Sequence, residues 1–368
     1  MHATLPRPTG LTRFKISGWI LSTLIAGTVT TAELDAQAPT DFAPPTGDPA
    51  IISPDARLDL LFDDACFTEG VAVSPDGSVY FSDITFTSSC RHGDSALPQA
   101  GIIWRYDPET KETSVYRSPS GMSNGLKFDG AGNLIAAEGA DFGGRRVTIT
   151  DMATGRARIV AGLYDNQPFN APNDLAVDLQ GRIYFTDPRY LGHEPVMQPT
   201  MSVYRADPDG SITRIVSDAG KPNGLLVSPN QTTLYVVSND NGALDFTRLG
   251  EEELTQRGPM VIWAYELTSE GTVGERREFV NFAPFDSADG LAADVNGNVY
   301  AAVRRADAPG IYAFNNEGKE LAYIPTGDIL PTNLAFGRGD DANLLYVTAG
   351  GALYQIRLNA EGFHLPPQ

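Results

Sequence analysis

Short apolar runs separated by tight polar turns recur along this chain. The clearest copy is residues 173–187, N-D-L-A-V-D-L-Q-G-R-I-Y-F-T-D, in which Leu175 and Val177 fall on one face of a first strand. Residues 178–181 supply a turn, and residues 183–185 form an apolar return strand. A single hairpin of this kind cannot bury its own apolar faces, so the pattern predicts several hairpins packed together.

The same plan begins six times, and a polar residue opens each copy. These opening residues are Glu69, Asn124, Asn173, Asn223, Asp289 and Thr332. Their successive spacings of 55, 49, 50, 66 and 43 residues each leave room for four antiparallel strands, which predicts an all-β fold, a six-bladed β-propeller. Only residues 353–358 remain as a strand after the last copy, so residues 57–62 are expected to complete the last blade and close the ring.

The N-terminal 38 residues follow another pattern. Arg7, Arg13 and Lys15 precede an apolar run at residues 16–29, and small residues follow at Ala36 and Ala38. This is typical of a secretory signal peptide, with an uncleaved membrane anchor as the alternative, and it predicts a secreted or periplasmic protein. The expected organisation is a signal peptide at 1–38, an extended Pro-rich tether at 39–54, the propeller at 55–360 and a C-terminal tail at 361–368.

The net charge limits the classes of partner that this protein can bind, and the two cysteines bear on the compartment in which it folds. The formal net charge is -19, which argues against nucleic acid or an anionic membrane as a partner after signal cleavage and also disfavours highly anionic substrates. Cys66 and Cys90 are expected on one face of the propeller. In an oxidising compartment they would form a disulfide, and two unpaired buried thiols are the alternative.

The opening residues carry the candidate chemistry. Because the innermost strand of every blade starts near the central axis, the six side chains are expected to meet at one mouth of the tunnel. None is Cys or His, and oxygen ligands suit a hard cation, so we expect one divalent cation, Ca²⁺ ahead of Mg²⁺, Mn²⁺ or Zn²⁺. Glu69 and Asp289 would balance its charge. The alternative is that Asn and Asp before glycine only form turns.

These motifs resemble a known family, the senescence marker protein, regucalcin and gluconolactonase family of six-bladed propeller lactonases. The resemblance spans about residues 58–357 and is carried by Glu69-Gly70, the N-D-x-x-V-D run from Asn173, Y-F-T-D-P at 184–188, P-N-G at 222–224 and Asp289-Gly290. It implies that Glu69, Asn223 and Asp289 bind the metal and that Asn173 lies beside it, contacting ion, water or substrate.

Two departures from the family pattern affect substrate recognition. The E-H-G-N sequence of the bacterial gluconolactonase branch reads E-G-A-D at residues 138–141, and the arginine that regucalcin-type members carry two residues before Asn173 is Ala171. Sugar recognition must therefore differ from that of regucalcin. The remaining expected substrate contacts are Asn124, Glu138 and His193.

The resemblance implies a small-molecule lactone as the substrate and metal-assisted hydrolysis as the reaction, in which the metal polarises the carbonyl and a carboxylate takes a proton from the attacking water. Asp289 is the favoured base, and Asn173 is the second catalytic candidate. Three further acids each lie fourteen residues past an opening residue and would act as bases or as loop caps: Asp83, Glu138 and Asp187.

A second hydrolase motif is rejected. Residues 121–125, G-M-S-N-G, match the G-x-S-x-G nucleophile elbow, but a strand pattern follows where that motif needs a helix. Two alternatives to the lactonase remain open. One is a non-enzymatic secreted propeller that binds a ligand and holds a structural metal, and the other is a metal-dependent esterase or phosphotriesterase using the same site.

Overall fold

The computed structural model describes residues 38–85, 90, 97–242 and 257–365. Within this part of the chain, antiparallel sheets form six blades around a central axis, which confirms the all-β, six-bladed propeller. The predicted signal segment, apart from Ala38, lies outside the described residues. No helix among the described residues is long and apolar enough to cross a membrane.

In the first five blades the strands follow chain order from the axis outward. Blade 1 comprises Thr68–Val73, Val79–Asp83, Ile102–Asp107 and Glu112–Arg117. Blade 2 comprises Ser123–Phe128, Leu134–Glu138, Arg146–Thr150 and Ala157–Ala161. Blade 3 comprises Leu175–Val177, Ile183–Asp187, Ser202–Ala206 and Ile212–Val216. Blade 4 comprises Pro222–Val227, Thr233–Asn239, Met260–Leu267 and Val273–Asn281. Blade 5 comprises Ala288–Ala293, Val299–Val303, Gly310–Phe314 and Glu320–Pro325.

The sixth blade is closed by a strand from the N-terminal side, as predicted. Pro331–Phe336, Leu344–Ala349 and Ala352–Arg357 form its first three strands, and Asp59–Phe62 forms the fourth. Asp59 pairs with Gln355 and Leu60 with Tyr354. This pairing joins the two ends of the ring and covers the edge of the strand Ala352–Arg357.

Residues 39–54, expected to be an extended tether, pack on the propeller. Thr46–Gly47 adds a short fifth strand to blade 5, opposite Ala322 and Tyr323. Ile51 and Ile52 are buried in the core cluster between blades 5 and 6, and the Phe42 ring meets Tyr354 edge-on at 5.5 Å. The Pro-rich composition of this segment gave no indication that Phe42, Ile51 and Ile52 pack against the propeller.

The core lies between neighbouring blades, because each sheet presents apolar side chains on both faces. Val71 and Phe81 of blade 1, for example, share one cluster with Tyr346 and Leu353 of blade 6. Outside the blades, the described residues contain a short hairpin, Leu163–Tyr164 with Gln167–Pro168, and a 3-10 turn at Gly339–Asp341.

Candidate active site

Five of the six opening residues line one cavity of about 250 Å³ at a mouth of the tunnel. They are Glu69, Asn124, Asn173, Asn223 and Asp289. The sixth, Thr332, is fully buried, and its hydroxyl donates to the carbonyl oxygen of Thr68 at 2.8 Å. Thr332 therefore ties blade 6 to blade 1 and does not contribute a side chain to the cavity.

The glycine after four of these residues is explained by close packing at the axis. A Cβ on Gly70 would lie 2.3 Å from the carbonyl oxygen of Asn124, and one on Gly224 would lie 1.9 Å from that of Asp289. Both distances are far below van der Waals contact. Glycine at these positions lets the inner strands approach closely enough for the opening side chains to share one cavity.

The donor set fits a hard cation. The Oδ1 atoms of Asn124 and Asn223 are buried and have no hydrogen-bond partner among the described residues. A buried amide oxygen without a partner is costly, and a cation or a substrate donor would satisfy it. Glu69 and Asp289 add two buried carboxylates to the same cavity. These oxygens are the ligands that Ca²⁺ and Mg²⁺ prefer.

The two carboxylates raise each other's cost of ionisation. Burial, followed by the charge of Asp289, holds the pKa of Glu69 well above its usual value. Burial also raises the pKa of Asp289, with Asp174 adding to the effect, while Arg304 and a hydrogen bond from Asn223 oppose it. A cation held between these carboxylates would remove the repulsion and favour both charged forms.

Two of the three strand-end acids cap loops. Asp83 accepts hydrogen bonds from the backbone N–H groups of Cys66 and Phe67, at 3.1 and 3.0 Å. Asp187 accepts from the N–H groups of Asn170 and Ala171, at 2.9 and 2.8 Å. Burial raises the pKa of Asp187 to about 7, although these hydrogen bonds oppose the shift. Neither acid lines the cavity.

Glu138, predicted to contact the substrate, also lies outside the cavity lining. Its carboxylate accepts hydrogen bonds from Arg146 Nε and Thr148 Oγ1, both at 2.8 Å, and Arg117 Nη2 lies 3.7 Å away. Because these partners occupy its oxygens, Glu138 helps to hold the strands of blade 2 together, and its contact with a substrate stays a prediction.

His193, another predicted substrate contact, does not line the cavity itself but contacts a residue that does. Its Nε2 lies 3.1 Å from Oδ1 of Asp141, and Asp141 lines the cavity. The imidazole also packs against the Phe142 ring, with centroids 4.8 Å apart. The predicted residue is therefore near the site, but the group that faces the cavity is Asp141.

The disulfide expectation agrees with the structure. Cys66 and Cys90 are bonded, with Cα atoms 5.9 Å apart. Phe67 and Ile84, which lie between them in the chain, both line the cavity. The bridge therefore anchors part of the cavity wall.

Residues 99–351 match the family described as SMP-30/Gluconolactonase/LRE-like region, over more than half of the chain. The chain belongs to this family. It is 29% identical over 339 residues to a gluconolactonase of Zymomonas mobilis, covering 83% of this chain and 85% of that protein. It is 26% identical over 333 residues to a lactonohydrolase of Aspergillus oryzae, covering 85% of this chain and 73% of that protein.

Solved structures of the family share the fold. A gluconolactonase of Xanthomonas campestris is 27% identical, with a TM-score of 0.70, and the match covers 87% of this chain and 97% of that chain. Regucalcin from Agrobacterium tumefaciens, described as a calcium-binding protein, is 19% identical, with a TM-score of 0.62, and the match covers 84% of this chain and 96% of that chain. The second likeness concerns the fold alone.

The sequence analysis did not predict several residues that line the cavity, among them Arg304 and Tyr190. Arg304 lines the cavity, and its Nη1 lies 3.3 Å from Oδ2 of Asp289. Tyr190 forms another part of the wall, and its hydroxyl donates to the carbonyl oxygen of Asn239 at 3.1 Å. Arg304 follows directly after the strand Val299–Val303, so a search of strand ends for cations as well as for acids would have found it.

Proposed function

We propose that this protein is a metal-dependent lactone hydrolase of the gluconolactonase type. One observation carries the proposal: Glu69, Asn223 and Asp289 come from three separate blades, face one cavity and include an Asn223 oxygen without a partner among the described residues. Membership of the family, and relatives named gluconolactonase in Zymomonas mobilis and Xanthomonas campestris, support this reaction class.

Glu69, Asn223 and Asp289 would hold the cation, with Asn173 beside them. The oxygen-only donor set favours Ca²⁺, and two carboxylates match a divalent charge. A cation bound there would act as a Lewis acid that polarises the lactone carbonyl.

The chain's own residues supply the rest of the reaction. Asp289 accepts a proton from the attacking water while the water oxygen bonds to the carbonyl carbon. The ring C–O bond then breaks, and the ring oxygen takes up a proton to become the hydroxyl of the product, a hydroxy acid. Arg304, 3.3 Å from Asp289, favours the ionised form that a base requires.

The cavity walls suit a small polar ring. The amides of Asn124 and Asn173, which come from neighbouring blades, offer hydrogen bonds to substrate oxygens. Phe67, Met122 and Leu191 form an apolar part of the wall, against which the carbon faces of a lactone would pack.

We also propose that the protein is exported to the periplasm or secreted. The Cys66–Cys90 disulfide supports this proposal, because such bonds persist in oxidising compartments. The basic and apolar pattern of residues 1–38 supports it independently. Fractionation of cells expressing the full chain, with N-terminal sequencing of the mature protein, would test both export and the cleavage point.

The test of function is a panel of lactones assayed with chelated protein and after addition of Ca²⁺, Mg²⁺, Mn²⁺ or Zn²⁺. We expect ring opening that chelation abolishes and a cation restores, while the circular dichroism spectrum stays that of a folded β-protein. A linear ester and a phosphotriester serve as comparison substrates. Faster turnover of either, or a folded protein that opens no lactone with any cation, would contradict the proposal.

A further inference from the structure

Arg304 is held rigidly at the cavity wall. Its backbone N–H donates to the carbonyl oxygen of Ser287 at 3.0 Å, and its Nη1 contacts both Asp289 Oδ2 at 3.3 Å and the carbonyl oxygen of Pro331 at 3.4 Å. The side chain is 18% exposed. The guanidinium therefore has one defined position and needs little reordering to bind a ligand.

Part of this guanidinium remains available to a ligand. A guanidinium carries five N–H donors and no acceptor. Only Nη1 is engaged, whereas Nε and Nη2 of Arg304 have no hydrogen-bond partner among the described residues and belong to a side chain that lines the cavity. Arg304 is also the only cationic side chain among the described residues of the cavity lining. It can therefore donate to a substrate oxygen.

The location of Arg304 defines which oxygen it can reach. The proposed reaction places the lactone carbonyl beside Asp289, and Arg304 contacts Asp289 directly. The carbonyl oxygen would face the cation and the ring oxygen is the leaving group, so the nearest remaining oxygen would be one carried by the adjoining ring carbon. An oxygen on that carbon is therefore the substrate group that Arg304 would meet first.

The charge of the cavity indicates a neutral oxygen. The described lining contains four acidic residues, Glu69, Asp141, Asp286 and Asp289. The proposed cation would balance Glu69 and Asp289, but Asp141 and Asp286 would still repel an anionic substituent. A hydroxyl accepts a hydrogen bond from Arg304 without adding charge.

We infer that Arg304 is a specificity-determining residue, whose guanidinium binds a hydroxyl group on the carbon next to the lactone carbonyl. Gluconolactone carries such a hydroxyl group, so the inference concerns the residue that recognises this group and not the substrate class. This inference rests on the proposed lactone hydrolysis and adds the substrate group that the site selects.

A substrate pair isolates this one contact: 2-hydroxy-γ-butyrolactone and γ-butyrolactone differ only in that hydroxyl. We expect the wild-type protein to prefer the hydroxylated lactone by roughly 10- to 100-fold in kcat/KM, the size of effect given by one hydrogen bond to a charged group. Arg304→Met should bring the ratio to about 1. Arg304→Lys, which keeps the charge but loses the planar fork, should give an intermediate ratio.

The ratio of kcat/KM for the two lactones is the diagnostic quantity. General damage to Asp289 or to the fold lowers both values by the same factor and leaves their ratio unchanged. Arg305→Met is the matched control. Arg305 adjoins Arg304 in the chain but pairs with Asp307, with Nε 2.8 Å from Oδ1, and it does not line the cavity. This control should keep the wild-type ratio.

A binding measurement provides a readout that does not depend on turnover. The matching lactams, with and without the 2-hydroxyl group, are probes for calorimetry. The wild-type protein should bind the hydroxylated lactam more tightly, and Arg304→Met should bind the two equally.

The outcomes separate the inference from the proposed function. If the wild-type protein opens both lactones and Arg304→Met lowers the two rates by the same factor, Arg304 only supports Asp289 and the inference is wrong. If the wild-type protein opens no lactone with any of the four cations, the proposed function fails and the inference falls with it. A changed ratio in Arg304→Met together with an unchanged ratio in Arg305→Met supports both.

Discussion

Replacing Glu69 by Gln should change the stability of the metal-free and metal-loaded protein in opposite directions. Glu69 is 5% exposed, and its pKa is raised by burial and then by the charge of Asp289. Without a cation, the ionised side chain therefore destabilises the fold. With a cation, the same charge becomes a ligand. Gln keeps the shape and one side-chain oxygen but removes the charge.

The expected magnitudes follow from Coulomb's law and from binding linkage. Two unit charges a few ångströms apart at an effective dielectric constant of about 20 repel by on the order of 3 kcal/mol, and Arg304 offsets part of this. We therefore expect metal-free Glu69→Gln to be about 1–2 kcal/mol more stable than the wild type. A cation at 100 times its Kd stabilises the wild type by about 2.7 kcal/mol. A domain of this size gains roughly 1.5 °C in Tm per kcal/mol.

The assay is thermal unfolding with chelator and with excess Ca²⁺, followed by circular dichroism. The Tm of metal-free Glu69→Gln should be about 2 °C above that of the metal-free wild type. Ca²⁺ should raise the Tm of the wild type by about 4 °C and should leave the Tm of the variant almost unchanged. The order of the two proteins thus inverts. Because a raised folded-state pKa makes an acid destabilising above its unfolded pKa, the metal-free difference should grow as the pH rises from about 4.3.

Glu138→Gln is the matched control. Glu138 is 3% exposed, so the same substitution is made at the same depth, but its carboxylate is paired with Arg146. This variant should lose about 1–3 kcal/mol in both conditions, because charged hydrogen bonds are removed, and it should keep the full Ca²⁺ response. A metal-free Glu69→Gln less stable than the wild type, or one with an undiminished Ca²⁺ shift, would refute the reasoning.

Three further predictions concern the site and its support. Asp289→Ala should lose both bound metal and lactone turnover, whereas Ser123→Ala, at a buried position outside the cavity lining, should keep both in metal analysis and rate assays. Gly224→Ala should sharply lower metal affinity, because its Cβ would lie 1.9 Å from the Asp289 carbonyl oxygen; Gly162→Ala, whose Cβ would meet only Ile159 at 3.4 Å, should be neutral. Burial lowers the pKa of Lys221 to about 8, so its charge costs stability most below pH 8. The stability of Lys221→Met relative to wild type should therefore fall by up to roughly 3 kcal/mol between pH 8 and 10 in denaturant titrations.

The propeller was predictable because its signal is repeated. Each hairpin alone is ambiguous, but six copies at blade-sized spacing leave few other folds, and the missing fourth strand of the last blade identified Asp59–Phe62. The convergence of Glu69, Asn223 and Asp289 in one cavity follows from the same repeat. Which cation they bind stays a prediction.

The sequence failed where tertiary partners decide a side chain's role. Asp83, Glu138 and Asp187 occupy equivalent repeat positions, yet two cap loops and the third pairs with arginines that the repeat does not define. Asp141 and Arg304 stand just outside the repeat, in connections whose course the strand pattern does not predict. The strand pattern therefore suggested a catalytic role for acids at strand ends, and it did not identify Arg304, which lies one residue beyond the equivalent position.

The residue after each opening position shows how one repeat supports different chemistry. Four blades carry glycine there, but blade 3 carries Asp174 and blade 6 carries Asn333. A Cβ on Gly125 would lie 2.6 Å from Oδ1 of Asp174, and one on Gly290 would lie 2.5 Å from Oδ1 of Asn333. The glycines thus leave the space that these two side chains fill, and Asn333 hydrogen-bonds to Asp174. Because blades 3 and 6 are opposite in a six-membered ring, the contact between Asn333 and Asp174 spans the axis. The negative charge of the buried Asp174 also raises the pKa of both Glu69 and Asp289.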